Sequence, residues 1–272
     1  MGDLCEVEES PVSTHEIAGI TSQDISKQIG NIGDENIAIL NKIMCDYKTD
    51  VQTKKRVIPI EHTIDLKDDI PVSQQPRRLP HGLREPIKQH LEKLLENGRV
   101  VPSNSRYGSP IIPIIKKNGD VRIAIDYRAL NKKTIPRRYP IPHQDDLIEK
   151  VKGSSIFTVL DLKHGYYNIP VRKSDQMKTA FIVPWGKYEW PYMPLGLVGA
   201  PFTFGEVMAF IFKDFEFVVC FFDDMLIFSK NISEHFIHLR KVLDRLAEYG
   251  FEVNDEKSQL FMEEVLFLGF KV

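Results

Sequence analysis

Residues 217–229 read FVVCFFDDMLIFS, two almost wholly apolar runs, FVVCFF (217–222) and MLIFS (225–229), joined at Asp223-Asp224. Each run has the length and content of a strand, and apolarity on both faces marks a central strand covered by helices. Asp-Asp at the join is, taken alone, an ordinary turn. Here it tips a buried hairpin, where charge is costly without a partner. About sixty residues earlier another apolar run, IFTVLD (156–161), ends on Asp161. If these strands are neighbours, three carboxylates converge, and the hairpin carries no Lys or Arg to neutralise them. Such a cluster calls for divalent cations. Hard oxygen donors with an open coordination sphere select Mg²⁺, for which Mn²⁺ can substitute, and substrate phosphates complete the shell. Two such ions can activate a hydroxyl nucleophile and stabilise a leaving pyrophosphate.

Outward from the hairpin, the pattern alternates helices with paired strands. Downstream, a long amphipathic helix is expected from a cap at Ser233, with Phe236, Leu239, Leu243 and Leu246 inward and Gly250 at its end. Strands around 258–262 and 266–271 finish the chain. Upstream lie a helix over 200–215, strand-like TAFIVP and KYEWPY, and a short helix through Leu147, Ile148 and Val151. Further back, PIIPIIKK (110–117) and VRIAIDY (121–127) flank Asn118-Gly119, a strong hairpin signal. That hairpin carries Lys116, Lys117 and Arg122. A helix with Pro86 in its first turn and Gly98 as its stop precedes it. Residues 1–56 read as a polar linker with one short helix, where Ile37, Leu40, Met44 and Tyr47 recur after a cap at Asp34. The whole is α+β with an antiparallel central sheet packed by helices, its main domain running from 57 to 272.

Of the 272 residues, 42% are hydrophobic and 27% charged, the balance of a globular protein rather than a disordered one. No apolar run approaches the roughly 18 residues of a membrane span. The acidic start MGDLCEVEES is not a secretory signal, and Glu6 breaks a myristoylation motif. Three distant cysteines, Cys5, Cys45 and Cys220, form neither a disulfide framework nor a zinc site, and suit a reducing interior. Net charge is −2, yet from Arg77 to Arg138 there are 15 Lys or Arg against 5 Asp or Glu. A basic block of this kind suits a polyanion or a triphosphate.

From about His62 onward, some three quarters of the chain resembles, motif after motif, the reverse transcriptases of Gypsy-class long-terminal-repeat retrotransposons. HTIDL (62–66) opens the series and SNSRYGSPIIPIIKKNGDVRIAIDYRALNKKTI (103–135) resembles the fingers. RYPIP (138–142), LDLKHGYYNI (160–169), KTAF (178–181), MPLGLVGAP (193–201), FFDD (221–224), EHFIHLRKVLDRL (234–246) and FLGF (267–270) follow in family order. The resemblance implies fingers and palm, with the thumb absent and the chain stopping after the primer grip. It implies an RNA-directed DNA polymerase that takes deoxynucleoside triphosphates and an RNA or DNA template-primer, using two Mg²⁺ ions. Asp161, Asp223 and Asp224 would hold the metals, with Asp161 and Asp223 as principal ligands. Lys116 or Lys117 and Arg122 would clamp the triphosphate, and Tyr166 would crowd a ribose 2′-OH. Gly196 and Pro201 match the template-side block, Phe267, Leu268 and Gly269 the primer grip, and Lys257 the lysine that protonates pyrophosphate. RNase H and integrase modules of a larger polyprotein, in an intracellular particle without membrane attachment, are the implied partners.

The chain departs from the family at Phe221, usually Tyr, at Asn168, usually Gln, at Leu195, usually Phe, and at Val198-Gly199, usually Thr-Asn. No departure removes an expected metal ligand. Two rival readings remain: an inactive remnant that keeps the fold and nucleic-acid binding, and an RNA-dependent RNA polymerase. Tyr166 speaks against the latter, which needs room for the 2′-OH.

Overall fold

The computed structural model describes residues 29–53, 56–115, 119–137, 139–140, 142–222 and 224–272. Strand Val218–Phe221 pairs antiparallel with Asp224–Ser229, Cys220 standing opposite Met225. Asp224–Ser229 in turn pairs antiparallel with Ile156–Leu160, Leu160 also opposite Met225. Gln259–Met262 joins the outer side of Ile156–Leu160 and completes a four-stranded antiparallel sheet. Alternate residues of the middle strand enter different cores. Met225 and Ile227 join Leu160 and Val218 in the main core, while Leu226 and Phe228 join Phe157 and Val219 in a smaller one. Two-sided burial is why this strand shows no polar alternation. Helix Ile232–Glu248 covers the main-core face through Leu239, Val242, Leu243 and Leu246, and helix Gln144–Val151 covers the other through Leu147 and Val151.

A second sheet runs in the order Val101–Pro102, Gly186–Glu189, Phe181–Val183, Ser109–Ile115, Val121–Ile125. The Asn-Gly hairpin pairs Pro113 with Ile123, and Ser109–Ile115 meets Phe181–Val183 in parallel. Helix His81–Glu96 packs against this sheet, with Ile87 and Leu91 buried. Mixed α/β architecture with an antiparallel central sheet between helices is thus present, and both sheets feed one main core.

Several local expectations give way. Helix Ile232–Glu248 is capped by Asn231, not Ser233: the Asn231 side chain accepts from the Glu234 N–H at 2.9 Å. Pro86 is the sixth residue of helix His81–Glu96 rather than part of its first turn, and the residue its ring would crowd four back is Gly82. Asp34 is the first residue inside its helix, not the cap. The run 266–271 is a tight hairpin, Leu266–Phe267 against Phe270–Lys271, because Leu268 (φ 53°) and Gly269 (φ 84°) both take positive φ. The short helix expected in a polar linker spans Asp34–Thr53, 20 residues, and Leu40, Ile43, Tyr47 and Val51 are buried in the main core. It lies along helix Ile232–Glu248, and Arg240 pairs with Asp46 at 2.9 Å.

Candidate active site

Asp161 is the first residue past strand Ile156–Leu160, and Asp224 opens strand Asp224–Ser229. The register that sets Leu160 opposite Met225 brings both carboxylates to the same end of adjacent strands. Asp223, Lys116 and Lys117 lie outside the described residues. A cavity of about 310 Å³ opens at this end, and Asp161, Arg122, Tyr166 and Lys257 all line it. Four residues singled out in the sequence, up to 135 positions apart, therefore share one hollow. Lys257 Nζ stands 3.7 Å from Asp161 Oδ2, both side chains being well exposed. Among the described residues, no group of three or more His, Cys, Asp or Glu side chains is close enough to hold a metal ion.

Local sequence explains how the wall is built. After Asp161 the chain turns through the short 3-10 helix Gly165–Asn168. A Cβ on Gly165 would meet Phe204 Cε2 at 2.9 Å, so glycine lets this turn close on helix Ala200–Ile211 without displacing the Phe204 ring. That approach seats the Tyr166 ring on Phe204, centroids 5.0 Å apart, at the cavity's edge. Its neighbour Tyr167 stacks on Trp190 (5.1 Å) and also lines the cavity; burial raises its phenol, against the pull of Arg122 and Arg99. Opposite, Leu195 borders the cavity and Gly196 adopts φ 96°, which a side chain tolerates poorly. The Gly196 carbonyl accepts from Asn131 Nδ2 at 2.8 Å, and Asn131 Oδ1 accepts from the Val198 N–H at 3.1 Å. One amide thus pins the loop that carries Gly196 and leads into the helix of Pro201. Pro201 is the second residue of helix Ala200–Ile211, half-buried.

On the hairpin, Phe221 pairs with Asp224 and packs edge-on against Phe222 (4.8 Å). Phe222 takes φ 51°, a costly conformation for an aromatic residue and one that clusters at functional sites. Burial pushes the neighbouring Cys220 thiol up to about 12, which keeps it protonated at neutral pH. Phe267, Leu268 and Gly269 do not reach the cavity: Phe267 is buried in the smaller core, and the other two form the positive-φ turn of the last hairpin.

Three arrangements escaped the sequence reading. Asn254 and Ser258, in the polar run NDEKS, bond directly to Asp161. Asp126, an acid inside the basic block, is buried between Arg77 and Arg128 (2.8 Å), and the Arg128 hydrogen bond holds its carboxyl down at about 2. His62 and His235 are buried and bonded to hydroxyls, His62 Nδ1 to Thr203 Oγ1 at 2.9 Å and His235 Nε2 to Thr158 Oγ1 at 2.7 Å.

Residues 114–272, more than half of the chain, match the family described as reverse transcriptase (RNA-dependent DNA polymerase). The Tf2-3 and Tf2-7 transposon polyproteins of Schizosaccharomyces pombe are each 32% identical over 260 residues, 93% of this chain. The chain spans only 19% of those polyproteins. A foamy viral protease-reverse transcriptase solved in complex with double-stranded DNA superposes with a TM-score of 0.79 at 27% identity, over 92% of this chain and 44% of that one. The native prototype foamy virus enzyme gives 0.80 at 25% identity, over 91% and 34%. Among the described residues no helix is long and apolar enough to cross a membrane. Ordered motifs, a four-stranded sheet with carboxylates at one end of its central strands, and a family match that contains the whole of that sheet converge, and the chain belongs to the reverse transcriptase family, related to Tf2-type retrotransposon polyproteins.

Proposed function

We propose that this chain is the catalytic module of an RNA-directed DNA polymerase, adding deoxynucleotides to a primer paired with an RNA or DNA template. The observation that carries the proposal is the single cavity lined by Asp161, Arg122, Tyr166 and Lys257. A solved foamy viral relative holds an RNA/DNA hybrid, a substrate of the proposed kind. The donor set fits Mg²⁺ or Mn²⁺: carboxylate oxygens, with Asp161 exposed to the cavity rather than locked in a buried ion pair. Asp161, Asp223 and Asp224 would hold the ions, which when bound polarise phosphoryl oxygens and offset the charge that builds during transfer. Arg122 binds the triphosphate through charge-assisted hydrogen bonds, joined by Lys116 or Lys117. Tyr166, braced by Phe204, closes the space a 2′-OH would need. As the primer 3′-hydroxyl loses its proton to solvent and its oxygen bonds to the α-phosphorus, the bond from that phosphorus to pyrophosphate breaks and Lys257 Nζ gives the leaving group a proton. Gly196 and Pro201 face the template, the 267–269 turn supports the primer, and RNase H and integrase modules complete the polyprotein.

Primer extension by the parent and by Asp223→Asn, in the presence of Mg²⁺, tests this reading. The substitution is expected to slow extension by about 10³-fold, roughly 4 kcal/mol of barrier. A variant as fast as the parent removes the carboxylate set from the mechanism.

A further inference from the structure

Asp161 is held by the turn that follows strand Glu252–Val253, whose Asn254 borders the same cavity. Its Oδ1 accepts from Asn254 Nδ2 at 3.1 Å, and its carbonyl accepts from the Asn254 N–H at 2.8 Å. Its own N–H donates to Ser258 Oγ at 3.1 Å, and that hydroxyl donates to the Asn254 carbonyl at 2.8 Å. The N–H groups of Lys257 (3.2 Å) and Ser258 (3.0 Å) end on the same carbonyl. Asn254 therefore closes a turn and grips both the main chain and the side chain of Asp161. Its amide carries no charge and engages Oδ1 alone, leaving Oδ2, the oxygen nearer Lys257, to other groups of the site.

The turn is itself clamped by helix Asp34–Thr53. Strand Glu252–Val253 pairs antiparallel with Leu162–Lys163, directly after Asp161. On helix Asp34–Thr53, the buried Tyr47 hydroxyl donates to the Phe251 carbonyl at 2.6 Å and accepts from the Val253 N–H at 3.0 Å. Burial raises the Tyr47 phenol, so it keeps the proton it donates. The next residue, Lys48, reaches Asp255 Oδ2 at 2.6 Å. Segment 251–255 is thus bracketed by an N-terminal helix that lies outside the family-matched residues 114–272.

We infer that Asn254 is a positioning residue that presets the Asp161 carboxylate for metal and substrate, and that the Asp34–Thr53 helix, through Tyr47, holds Asn254 in register. This rests on the polymerase reading above. A carboxylate oriented by a fixed amide spends no ordering entropy when a cation arrives, and losing such an outer partner typically costs 10–100-fold in metal affinity or activity.

Asn254→Ala and Tyr47→Phe test it, with single-nucleotide addition on a primer-template and Mn²⁺ binding by electron paramagnetic resonance as independent readouts. Asn254→Ala is expected to lower kcat about tenfold and weaken Mn²⁺ binding several-fold, with nucleotide KM within about twofold of the parent. Tyr47→Phe, which removes one oxygen, is expected to act in the same direction by about threefold, without changing the far-ultraviolet circular dichroism. Parental kcat and Mn²⁺ affinity in Asn254→Ala overturn the inference; should that variant not fold, parental values in Tyr47→Phe overturn it instead. Asp223→Asn separates the two levels. If the parent extends primers, Asp223→Asn does not, and Asn254→Ala equals the parent, positioning alone has failed. A parent that neither extends primers nor binds Mn²⁺ overturns the polymerase reading and this inference with it.

Discussion

Acidification to about pH 5 is expected to destabilise the fold through two buried histidines. His235 sits in a chain of hydrogen bonds that a neutral ring completes. Thr158 Oγ1 accepts from the Phe261 N–H (3.1 Å) and is left to donate to His235 Nε2. His235 Nδ1 then donates to Ser229 Oγ (2.8 Å), whose own proton goes to His238 Nδ1 (2.8 Å). A second proton on the ring would break that order, and burial pushes His235 down to about 3. For His62, burial gives a value of about 4. Its partner Thr203 donates to the Gly199 carbonyl (3.3 Å), so His62 Nδ1 carries the ring proton. In the unfolded chain both rings titrate near 6.5. The folded values are lower, so this stability is fully present above about pH 6.5 and falls with pH, until about 3 for His235 and about 4 for His62. Each histidine costs about 1.4 kcal/mol per pH unit, which gives about 2 kcal/mol each and about 4 kcal/mol together at about pH 5. That is a large share of a typical stability of roughly 5–15 kcal/mol. The Asp126 carboxyl, held at about 2, titrates well below this window. Urea unfolding at about pH 7 and about pH 5 measures the loss, and His235→Gln should roughly halve it, whatever it costs at neutral pH. Equal urea midpoints at the two pH values, or an undiminished loss in His235→Gln, would refute the argument.

Tyr166→Val should relax sugar selection by opening the space beneath the ribose, and competition between ribo- and deoxynucleotides reads it directly; an unchanged ratio returns Tyr166 to packing against Phe204. Gly165→Ala drives a methyl against Phe204 and is expected to cost about 1–3 kcal/mol in thermal or urea melts while disturbing that same ratio. Leu246→Ala, which empties a fully buried site on helix Ile232–Glu248, should cost about 2–5 kcal/mol in the same melts.

What the sequence disclosed follows from the range of each interaction. Hairpins were legible because turn chemistry and partner strands lie within a few residues: Asn118-Gly119 announces the pairing of Ser109–Ile115 with Val121–Ile125. The two-sided apolarity of MLIFS likewise named a central strand. Parallel pairing of Ser109–Ile115 with Phe181–Val183 was not legible, since nothing local in either strand names a partner so far along the chain. At the site, Asp161 stood out because charge ends an apolar run. Asn254 did not, because an Asn in a polar turn has the same local signature whether or not it holds a carboxylate. Tyr47 read as one more residue on an amphipathic face, and its hydroxyl bonds to backbone 204 residues away. The cap at Ser233 was misplaced because Asn231 and Ser233 are both good capping residues, and backbone geometry chose between them.

The pairing of Tyr47 with Phe251 also dictates a timetable for synthesis. At about 5–20 residues per second, the 204 residues between them take a ribosome roughly 10–40 s to make. Throughout that interval Leu40, Ile43, Tyr47 and Val51 have no helix Ile232–Glu248 to lie on. Strands of the five-stranded and four-stranded sheets also alternate along the chain, so the first cannot be finished before the second is begun. Loop closure of this length slows folding far more than it weakens the product. The nascent chain therefore carries an unmated apolar face throughout that interval, and a chaperone that binds short amphipathic helices has its natural moment here, before residue 251 leaves the ribosome.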